Sequence, residues 1–368
     1  MAQVNLKGTM TFSDEQAMLL DTATDYFRDK FPMAYVRDQM LSSSGYEQTR
    51  WDEMVALGWS GLAIPEEFGG SGLGLAAAVT IAEPMGRALA ATPFLSTQLF
   101  VQGMLHGGSV DQKNAYLSQI AEGKIGTVAL FEDSGGWDLT DVGVELIDGR
   151  LKGAKTFVVD AGVADWVLVS ARRDGELVVV VVNKADLTGS TLEREVVIDE
   201  TRRSYRLSFN GTPAAEVLGD ASTALNAIRN AALLLIAAES GGGIAGVLNV
   251  VVEYLTTRTA FGKKIGGFQG LKHPTVDILI GLERTRSHVY HAASLLDAGE
   301  DAQAAIHMAK AEASDSFAFA GDRAIQFHGG FGFTWDCDAQ MYLRRALWSQ
   351  YSFGDAAYHR KQLAALLL

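Results

Sequence analysis

Apolar residues recur at helical spacing in the first third of the chain. Leu20, Ala23 and Phe27 fall on one helical face, and Ser13 followed three residues later by Gln16 matches a capping box at its start. Further apolar segments with helical periodicity cover residues 51–57, 75–89, 95–105 and 111–121. The pattern predicts a helical region up to about residue 125.

The hydrophobic period changes near residue 126, where short apolar runs separated by turn residues replace the helical pattern. Asp148-Gly149 lies between two apolar runs, a sequence that favours a hairpin, and Arg173-Asp174-Gly175 predicts a turn between two further runs. Asn210-Gly211 is a further turn signal. The runs themselves cover residues 144–147, 151–159, 166–170 and 177–182. We expect an antiparallel β unit here.

Helical periodicity returns after Asp220 and continues to the end of the chain. Four long, well-separated segments cover residues 222–258, 271–297, 301–327 and 355–367, as a four-helix bundle requires. The predicted fold class is therefore α+β. We expect an N-terminal helical domain (1–125), a central antiparallel β domain (126–221) and a C-terminal four-helix bundle (222–368).

Composition excludes several classes of protein. The 368 residues carry a formal net charge of -13, which argues against nucleic-acid binding because that function needs a concentrated basic surface. Cys337 is the single cysteine, so neither a disulfide framework nor a cysteine-based metal site is expected. Apolar runs such as residues 177–182 are too short to span a bilayer, and the N-terminus lacks the apolar core of an export signal. We expect a soluble cytoplasmic protein that binds neither nucleic acid nor membrane.

Several weaker patterns have ordinary structural explanations. Gly241-Gly242-Gly243 lies within a helical register and lacks the Gly-Lys-Ser/Thr of a phosphate loop, so close helix packing is the expected role. Gly69-Gly70-Ser71-Gly72 also lacks that lysine and indicates a turn. His288 and His291 have no further ligand at a supporting interval, and we therefore predict no metal site. No Gly-x-Ser-x-Gly elbow supplies a hydrolase nucleophile.

Two segments near the C-terminus form a joint pattern. They are Arg258-Thr-Ala-Phe-Gly-Lys-Lys-Ile-Gly-Gly-Phe-Gln269 and Gln326-Phe-His-Gly-Gly-Phe-Gly-Phe-Thr-Trp335. Each alone is compatible with a glycine-rich connection between helices. Together, in this order, they resemble the signature of the acyl-CoA dehydrogenase family. Ile64-Pro-Glu-Glu-Phe-Gly-Gly70 and Gly153-Ala-Lys155-Thr-Phe157-Val158 resemble further family segments. The resemblance thus extends over nearly the whole chain and implies the family's α–β–α architecture.

The resemblance implies FAD as cofactor and an acyl-CoA as substrate. Arg258 suits the pyrophosphate because a guanidinium donates two parallel charge-assisted hydrogen bonds. Gly329 and Gly330 allow close backbone approach, and Gln326 offers both a donor and an acceptor. The implied cofactor-binding residues are Arg258, Phe261, Phe268, Gln269, Gln326, Gly329 and Gly330. In the family these groups reach the FAD of a neighbouring subunit, which implies an oligomer.

The usual catalytic base is missing from both of its family positions. The stretch that matches the family's Tyr-Glu-Gly-Thr turn places Phe353 where the glutamate stands, and the alternative position on the first bundle helix holds Ala232. Asp355 and Glu239 are the remaining candidates for a relocated base. If they are not catalytic, each is expected to be a helix cap or a solvated or paired carboxylate.

The region that would face the flavin ring also departs from the family pattern. Phe131-Glu-Asp-Ser-Gly-Gly-Trp-Asp138 replaces a Thr-Glu-Pro-x-x-Gly-Ser-Asp-like loop. The usual tryptophan and threonine of the central strand are Phe157 and Val159, and loss of the hydroxyl weakens hydrogen bonding to the ring. The chain therefore keeps the cofactor half-site offered to a neighbour while its own ring-binding side is degraded.

Three hypotheses follow. The first is a base-lacking subunit of a hetero-oligomeric (α2β2) acyl-CoA dehydrogenase, resembling those that act on steroid side chains and other bulky acyl-CoAs. The second is a self-sufficient homotetramer with a relocated base. The third is a non-enzymatic scaffold of the same fold. For either enzyme, the resemblance implies an electron-transferring flavoprotein as the electron acceptor.

Overall fold

The computed structural model describes residues 13–187 and 190–368. Its N-terminal region is helical, and the predicted capping box is confirmed: Ser13 Oγ accepts a hydrogen bond from the Gln16 amide at 3.1 Å, and Gln16 Oε1 accepts one from the Ser13 amide at 3.2 Å. The six helices are α1 (Asp14–Lys30), α2 (Met33–Leu41), α3 (Gln48–Ala56), α4 (Gly74–Arg87), α5 (Phe94–Gly107) and α6 (Val110–Ala121).

A single large sheet follows the helices. In spatial order its strands run β6-β7-β3-β2-β4-β5-β8, and β1 pairs with β4. Most pairings are antiparallel, as predicted, but β4 lies parallel to both β1 and β2. The strands are β1 (Gly126–Ala129), β2 (Glu145–Ile147), β3 (Arg150–Val159), β4 (Trp166–Arg173), β5 (Glu176–Asn183), β6 (Thr191–Glu195), β7 (Ser204–Pro213) and β8 (Glu216–Val217).

The three predicted turns have different outcomes. Asp148-Gly149 and Asp174-Gly175 join antiparallel strands with positive φ at both residues (48° and 71°, 54° and 84°), so the predicted hairpin and the predicted turn are both confirmed. The turn predicted at Asn210-Gly211 is wrong. Strand β7 continues through it, and Gly211, with φ of 82°, is the extra residue of a β-bulge opposite β3. Glycine satisfies the left-handed position of a bulge as readily as that of a turn.

Five helices make up the C-terminal region. The four predicted segments are present, and an additional helix, α10, lies between the last two. A two-stranded hairpin of β9 (Thr259–Ala260) and β10 (Lys263–Lys264) joins the first two helices. The helices are α7 (Ala221–Thr257), α8 (Gln269–Asp297), α9 (Gln303–His328), α10 (Ala339–Tyr351) and α11 (Ala356–Leu367).

Helix α7 is the central element of the molecule. It is long and apolar enough to cross a membrane, but 94% of its most apolar stretch is buried inside the protein. Helices α4, α5, α8, α9 and α10 all pack against it. A helix that is apolar on every side is expected at the centre of a large core.

The glycines of α7 allow this packing. A Cβ built at Gly242 would lie 1.7 Å from the carbonyl oxygen of Glu83 in α4, and one built at Gly86 would lie 1.8 Å from that of Glu239 in α7. Gly243 likewise faces the ring of Phe317. The predicted packing role of this glycine run is confirmed. The main core therefore joins N-terminal and C-terminal helices, while the boundaries proposed near residues 125 and 221 stay predictions.

Candidate functional site

Three helix ends lie together at one end of the C-terminal bundle and carry the residues expected to bind the cofactor. Arg258 follows the last residue of α7, Gln269 begins α8, and Gln326 lies in the last turn of α9. The rings of Tyr254 and His328 stack with centroids 4.1 Å apart, which joins the end of α7 to that of α9. We call the surface formed by Arg258, Phe261, Phe268, Gln269, Gln326, Gly329 and Gly330 the half-site.

The polar groups of the half-site have no partners within the part of the chain that the structure describes. The side chains of Arg258, Gln269 and Gln326 are exposed and make no ion pair or side-chain hydrogen bond there. Their hydrogen-bonding capacity is therefore available to a molecule or subunit outside the chain.

The two glycines of the half-site leave open space. Gly329 has φ of 60° and ψ of −140°, a conformation that suits glycine, but Gly330 has no such requirement. A Cβ built at either residue would meet no atom within 4 Å. Packing within the described part of the chain does not explain Gly330, and the open space beside it would admit an external group.

The segments that carry these polar groups also carry aromatic rings that are exposed to an unusual degree. Phe261 is 95% exposed and packs edge-on against Phe268, with ring centroids 6.1 Å apart. Phe331, Phe333 and Trp335, in the connection after α9, are 47%, 80% and 48% exposed. Apolar surface of this extent is typical of a binding face.

A second site is a cavity of about 500 Å³ between the sheet, α5, α7 and α10. Most of its lining is apolar, and its volume is within the range of small-molecule sites. The side chains that matter below are Thr127, Glu132, Ile236, Trp348 and Phe353.

Phe353 occupies the wall of the cavity where the family pattern places a glutamate. Its φ is 58°, and its ring meets that of Phe131 in a T-shaped contact with centroids 4.9 Å apart. Ala232 is fully buried in α7, one turn before Ile236, which lines the cavity. Neither position offers a proton acceptor.

Buried groups hold the segment that carries Phe353. Lys310 Nζ donates hydrogen bonds to the carbonyl oxygens of Gly354 and Gln350 at 2.8 and 3.2 Å, and His359 Nε2 lies 3.2 Å from the same Gly354 oxygen. Burial lowers the pKa of Lys310 to about 7, and burial with the neighbouring Lys310 and His307 charges lowers the pKa of His359 to about 3. Helical periodicity predicted none of these contacts.

The two candidate bases are engaged elsewhere. Asp355 is the N-cap of α11, where its carboxylate accepts a hydrogen bond from the Tyr358 amide at 2.8 Å. Glu239 is 3% exposed and its Oε1 accepts hydrogen bonds from Arg202 and from Arg345, the latter at 3.0 Å. Asp355 is therefore a helix cap and Glu239 a paired carboxylate, the two structural roles that the sequence offered as alternatives to a catalytic base.

Glu132 is a carboxylate that lines the cavity and that the sequence did not single out. Its oxygens accept hydrogen bonds from Lys155 Nζ at 2.7 Å and from the amides of Gly143 and Val144. Burial opposes ionisation, but these hydrogen bonds hold the pKa of Glu132 below its ordinary value. A carboxylate stabilised by so many donors is a poor proton acceptor. The feature of the sequence that could have indicated Glu132 is its position directly after Phe131, in the loop that departs from the family pattern.

The serine and threonine hydroxyls of the cavity each have a protein acceptor. Thr127 Oγ1 donates to the Val159 carbonyl at 2.5 Å, Ser352 Oγ to the Trp348 carbonyl at 2.8 Å, and Ser204 Oγ to Glu195 at 2.8 Å. Val159 itself carries no hydroxyl. These side chains therefore offer no free proton to the ring nitrogens and oxygens of a flavin.

The fold, the half-site and the modified cavity define a member of the acyl-CoA dehydrogenase family, whose enzymes are oxidoreductases that act on CH–CH groups and use FAD. The family models "Acyl-CoA dehydrogenase, N-terminal domain" and "Acyl-CoA dehydrogenase, C-terminal domain" match residues 13–124 and 221–368.

Individual relatives agree with this assignment. The chain is 31% identical over 340 residues to acyl-CoA dehydrogenase IpdE2 of Mycobacterium tuberculosis, covering 92% of both chains. Among solved structures, a variant of the Tcur3481–Tcur3483 steroid ACAD is 28% identical with a TM-score of 0.86, covering 96% of this chain and 97% of that one. The ChsE4–ChsE5 complex from Mycobacterium tuberculosis, 24% identical with a TM-score of 0.88 over 98% of this chain and 99% of that one, shares the fold.

Proposed function

We propose that this chain is a base-lacking subunit of a hetero-oligomeric acyl-CoA dehydrogenase, most simply an α2β2 tetramer, and that a partner subunit carries the base. A contrast between the two sites supports the proposal. The half-site is exposed and its polar side chains have no partners in the described residues. The cavity instead holds Phe353 at the base position, and Glu132, the one carboxylate that lines it among residues 13–187 and 190–368, accepts hydrogen bonds from Lys155 and from two backbone amides.

The half-site residues fit an FAD that is held mainly by the partner. FAD, when bound, supplies the hydride acceptor for α,β-dehydrogenation of an acyl-CoA thioester. Arg258 would bind two pyrophosphate oxygens, and Gln269 and Gln326 would exchange hydrogen bonds with polar groups of the dinucleotide. The open space beside Gly329 and Gly330 admits the cofactor to the backbone.

Proton removal in this proposal belongs to the partner subunit. Phe353 and Ala232 accept no proton, and Asp355 and Glu239 are engaged as a cap and in an ion-pair cluster. The contribution of this chain is then to bind and orient the cofactor and to complete the oligomer.

We further propose a bulky, steroid-type acyl-CoA as the substrate of the complex and an electron-transferring flavoprotein as its electron acceptor. The similarity to the steroid ACAD supports the first of these. The second is an implication of family membership.

The test is to produce the chain alone and together with a dehydrogenase-like neighbour in its genome. We would measure assembly mass, the ratio of flavin to protein, and acyl-CoA-dependent dye reduction. We expect an active yellow complex with about one FAD per two chains, and little activity from this chain alone.

A matched pair of arginine variants makes the test specific. Arg258→Ala should lower the flavin content of the complex without changing its mass, whereas Arg173→Ala, at an exposed hairpin end, should not change it. Normal activity of the chain alone would instead support the self-sufficient homotetramer. Absence of flavin from every assembly would support the scaffold.

A further inference from the structure

One wall of the cavity is a short piece of the connection between β1 and β2. Gly135, Gly136 and Trp137 line the cavity on this side, and we call residues 134–138 the flap. Ser134 and both glycines are exposed to solvent. The flap therefore lies between the cavity and the surrounding water.

The chain is fixed on both sides of the flap. Before it, Glu132 accepts a hydrogen bond from Lys155 Nζ at 2.7 Å. After it, Leu139 is buried in the main core, and Arg172 Nη2 donates to the Thr140 carbonyl at 2.9 Å. Any movement of the flap is therefore confined to the few residues between these anchors.

Trp137 is the one flap side chain that makes a hydrogen bond or ring contact with a helix or strand in the described part of the chain. Its Nε1 donates to the Tyr351 carbonyl of α10 at 3.1 Å, in an exposed position. Its ring lies against that of Tyr358 in α11, with centroids 5.4 Å apart. The Asp138 carboxylate instead bonds to Thr140, within the same connection. The directional contacts between the flap and the helices are thus one exposed hydrogen bond and one ring pair.

The two glycines before Trp137 allow the flap to turn. Gly135 has φ of 69°, whereas Gly136 has no positive φ. A Cβ built at either residue would meet no atom within 4 Å, so neighbouring groups do not restrict the backbone here. Two consecutive glycines beside a single weakly held anchor form a suitable hinge.

We propose that residues 134–138 open and close one wall of the cavity by turning at Gly135-Gly136, and that Trp137 is the latch that holds this wall shut against α10 and α11. Opening admits solvent to the cavity beside Trp348, while the anchors on both sides of the flap stay in place. The proposal concerns access to the cavity and not its occupant, and it does not depend on the proposed function.

The test uses the full chain labelled with fluorotryptophan, with the fluorine NMR signals of Trp137 and Trp348 assigned by replacing each residue with phenylalanine. The difference in each chemical shift between light and heavy water measures the solvent exposure of that indole at equilibrium. Trp137 reports on the latch. Trp348 lines the cavity and is held by Arg202, whose guanidinium carbon lies 5.0 Å from the centre of its ring, so it reports on access to the cavity.

Three tyrosine variants test the latch. Tyr358→Ala removes the ring against which Trp137 packs and should increase the open fraction about threefold to tenfold, the value of one aromatic pair, with a rise in solvent exposure at both indoles. Tyr358→Leu keeps an apolar side chain on α11 and should give a smaller rise in the same direction, which preserves the test if the alanine variant does not fold. Tyr351→Phe is the matched control: the carbonyl and not the hydroxyl of Tyr351 accepts the Trp137 hydrogen bond, so neither signal should change.

Adding Gly136→Ala to Tyr358→Ala tests the hinge. Alanine is compatible with the backbone at this position, because φ is not positive and the added Cβ meets no atom within 4 Å. It restricts the other conformations that opening requires. The double variant should therefore lose part of the rise in exposure at both indoles.

Unchanged exposure of both indoles in Tyr358→Ala and Tyr358→Leu would overturn the inference, since other contacts would then hold the wall. A rise at Trp137 alone would also overturn it, because the ring would be released while the wall stayed closed. A rise that Gly136→Ala does not reduce would overturn the glycine hinge. None of these measurements involves flavin content, assembly mass or dye reduction, so the proposed function is tested separately.

Discussion

Replacing Glu239 with glutamine separates its structural role from a catalytic one. Glu239 is 3% exposed and pairs with Arg202 and Arg345, which are 2% and 1% exposed. Arg345 has a second carboxylate partner, Asp199, but Glu239 is the only ion-pair partner of Arg202 in the described residues. The amide therefore removes the direct ion-pair partner of a buried guanidinium and leaves it only the more distant charges of Asp199 and Asp160. Removing one partner of a buried pair costs about 3–5 kcal/mol, and we expect Glu239→Gln to lower the free energy of unfolding by that amount.

Urea-induced unfolding at pH 7.5, followed by fluorescence and circular dichroism, measures the change. The control is Asp25→Asn, which removes an exposed pair with Arg28 whose side chains are 67% and 63% exposed. Solvent screens such a pair, and the midpoint should not shift measurably. Both variants should be compared in the same oligomeric state, because association with a partner contributes to apparent stability.

The opposite result would refute this reasoning. If Glu239→Gln unfolds at the same urea concentration as the unaltered chain but abolishes acyl-CoA oxidation, Glu239 is a base and not an ion-pair partner. Full stability with full activity would mean that the cluster contributes little to folding.

Three further predictions concern packing, capping and protonation. Gly242→Ala should lower the free energy of unfolding, measured in urea, by about 1–3 kcal/mol or more, because the added Cβ would lie 1.7 Å from a backbone oxygen. Its control is Gly270→Ala, where the added Cβ meets no atom within 4 Å and stability should be unchanged or slightly higher. Asp355→Ala should cost about 1 kcal/mol and increase amide exchange in α11, while Asp355→Asn retains a capping oxygen and should behave like the unaltered chain. The pKa of His359 is about 3 in the folded protein and about 6.5 when unfolded, so the unfolded state binds more protons between these values. Stability should therefore fall on acidification from pH 6.5 towards pH 3, by up to about 1.4 kcal/mol per unit, and His359→Gln should show a shallower fall in unfolding measured across this range.

Local chemistry explains which features of the fold were predictable. Ser13 and Gln16 specify a helix start through hydrogen bonds between close neighbours, and Asp148-Gly149 specifies a hairpin through its positive φ angles. Asn210-Gly211 carries the same local signal, but pairing of β7 with β3 on both sides of it produces a bulge. Helix α10 was omitted because it adjoins the glycine-rich connection, whose pattern obscures where the next helix begins.

The two sites differ in predictability for a physical reason. The half-site lies in two short segments whose glycines and arginine are recognisable in the sequence. The buried ion-pair cluster of Glu239, Asp199, Arg202 and Arg345 instead depends on contacts between residues far apart in the sequence. Arg345 is 146 residues from Asp199 and 106 from Glu239. The pairing of Lys155 with Glu132 likewise appears only when β3 lies beside the loop after β1. No periodicity in the chain indicates such partners.

The half-site can persist without a catalytic base because different contacts support the two sites. The stacked rings of Tyr254 and His328 and the hydrogen bond from the Ile265 amide to the Arg258 carbonyl fix the helix ends that present the half-site. The Phe353 segment is held by Lys310 and His359, on a different part of the bundle. A change from glutamate to phenylalanine at the cavity therefore leaves the helix ends in place. In the proposed hetero-oligomer, this separation would let the chain dispense with proton abstraction while keeping a surface for a cofactor shared with a neighbour.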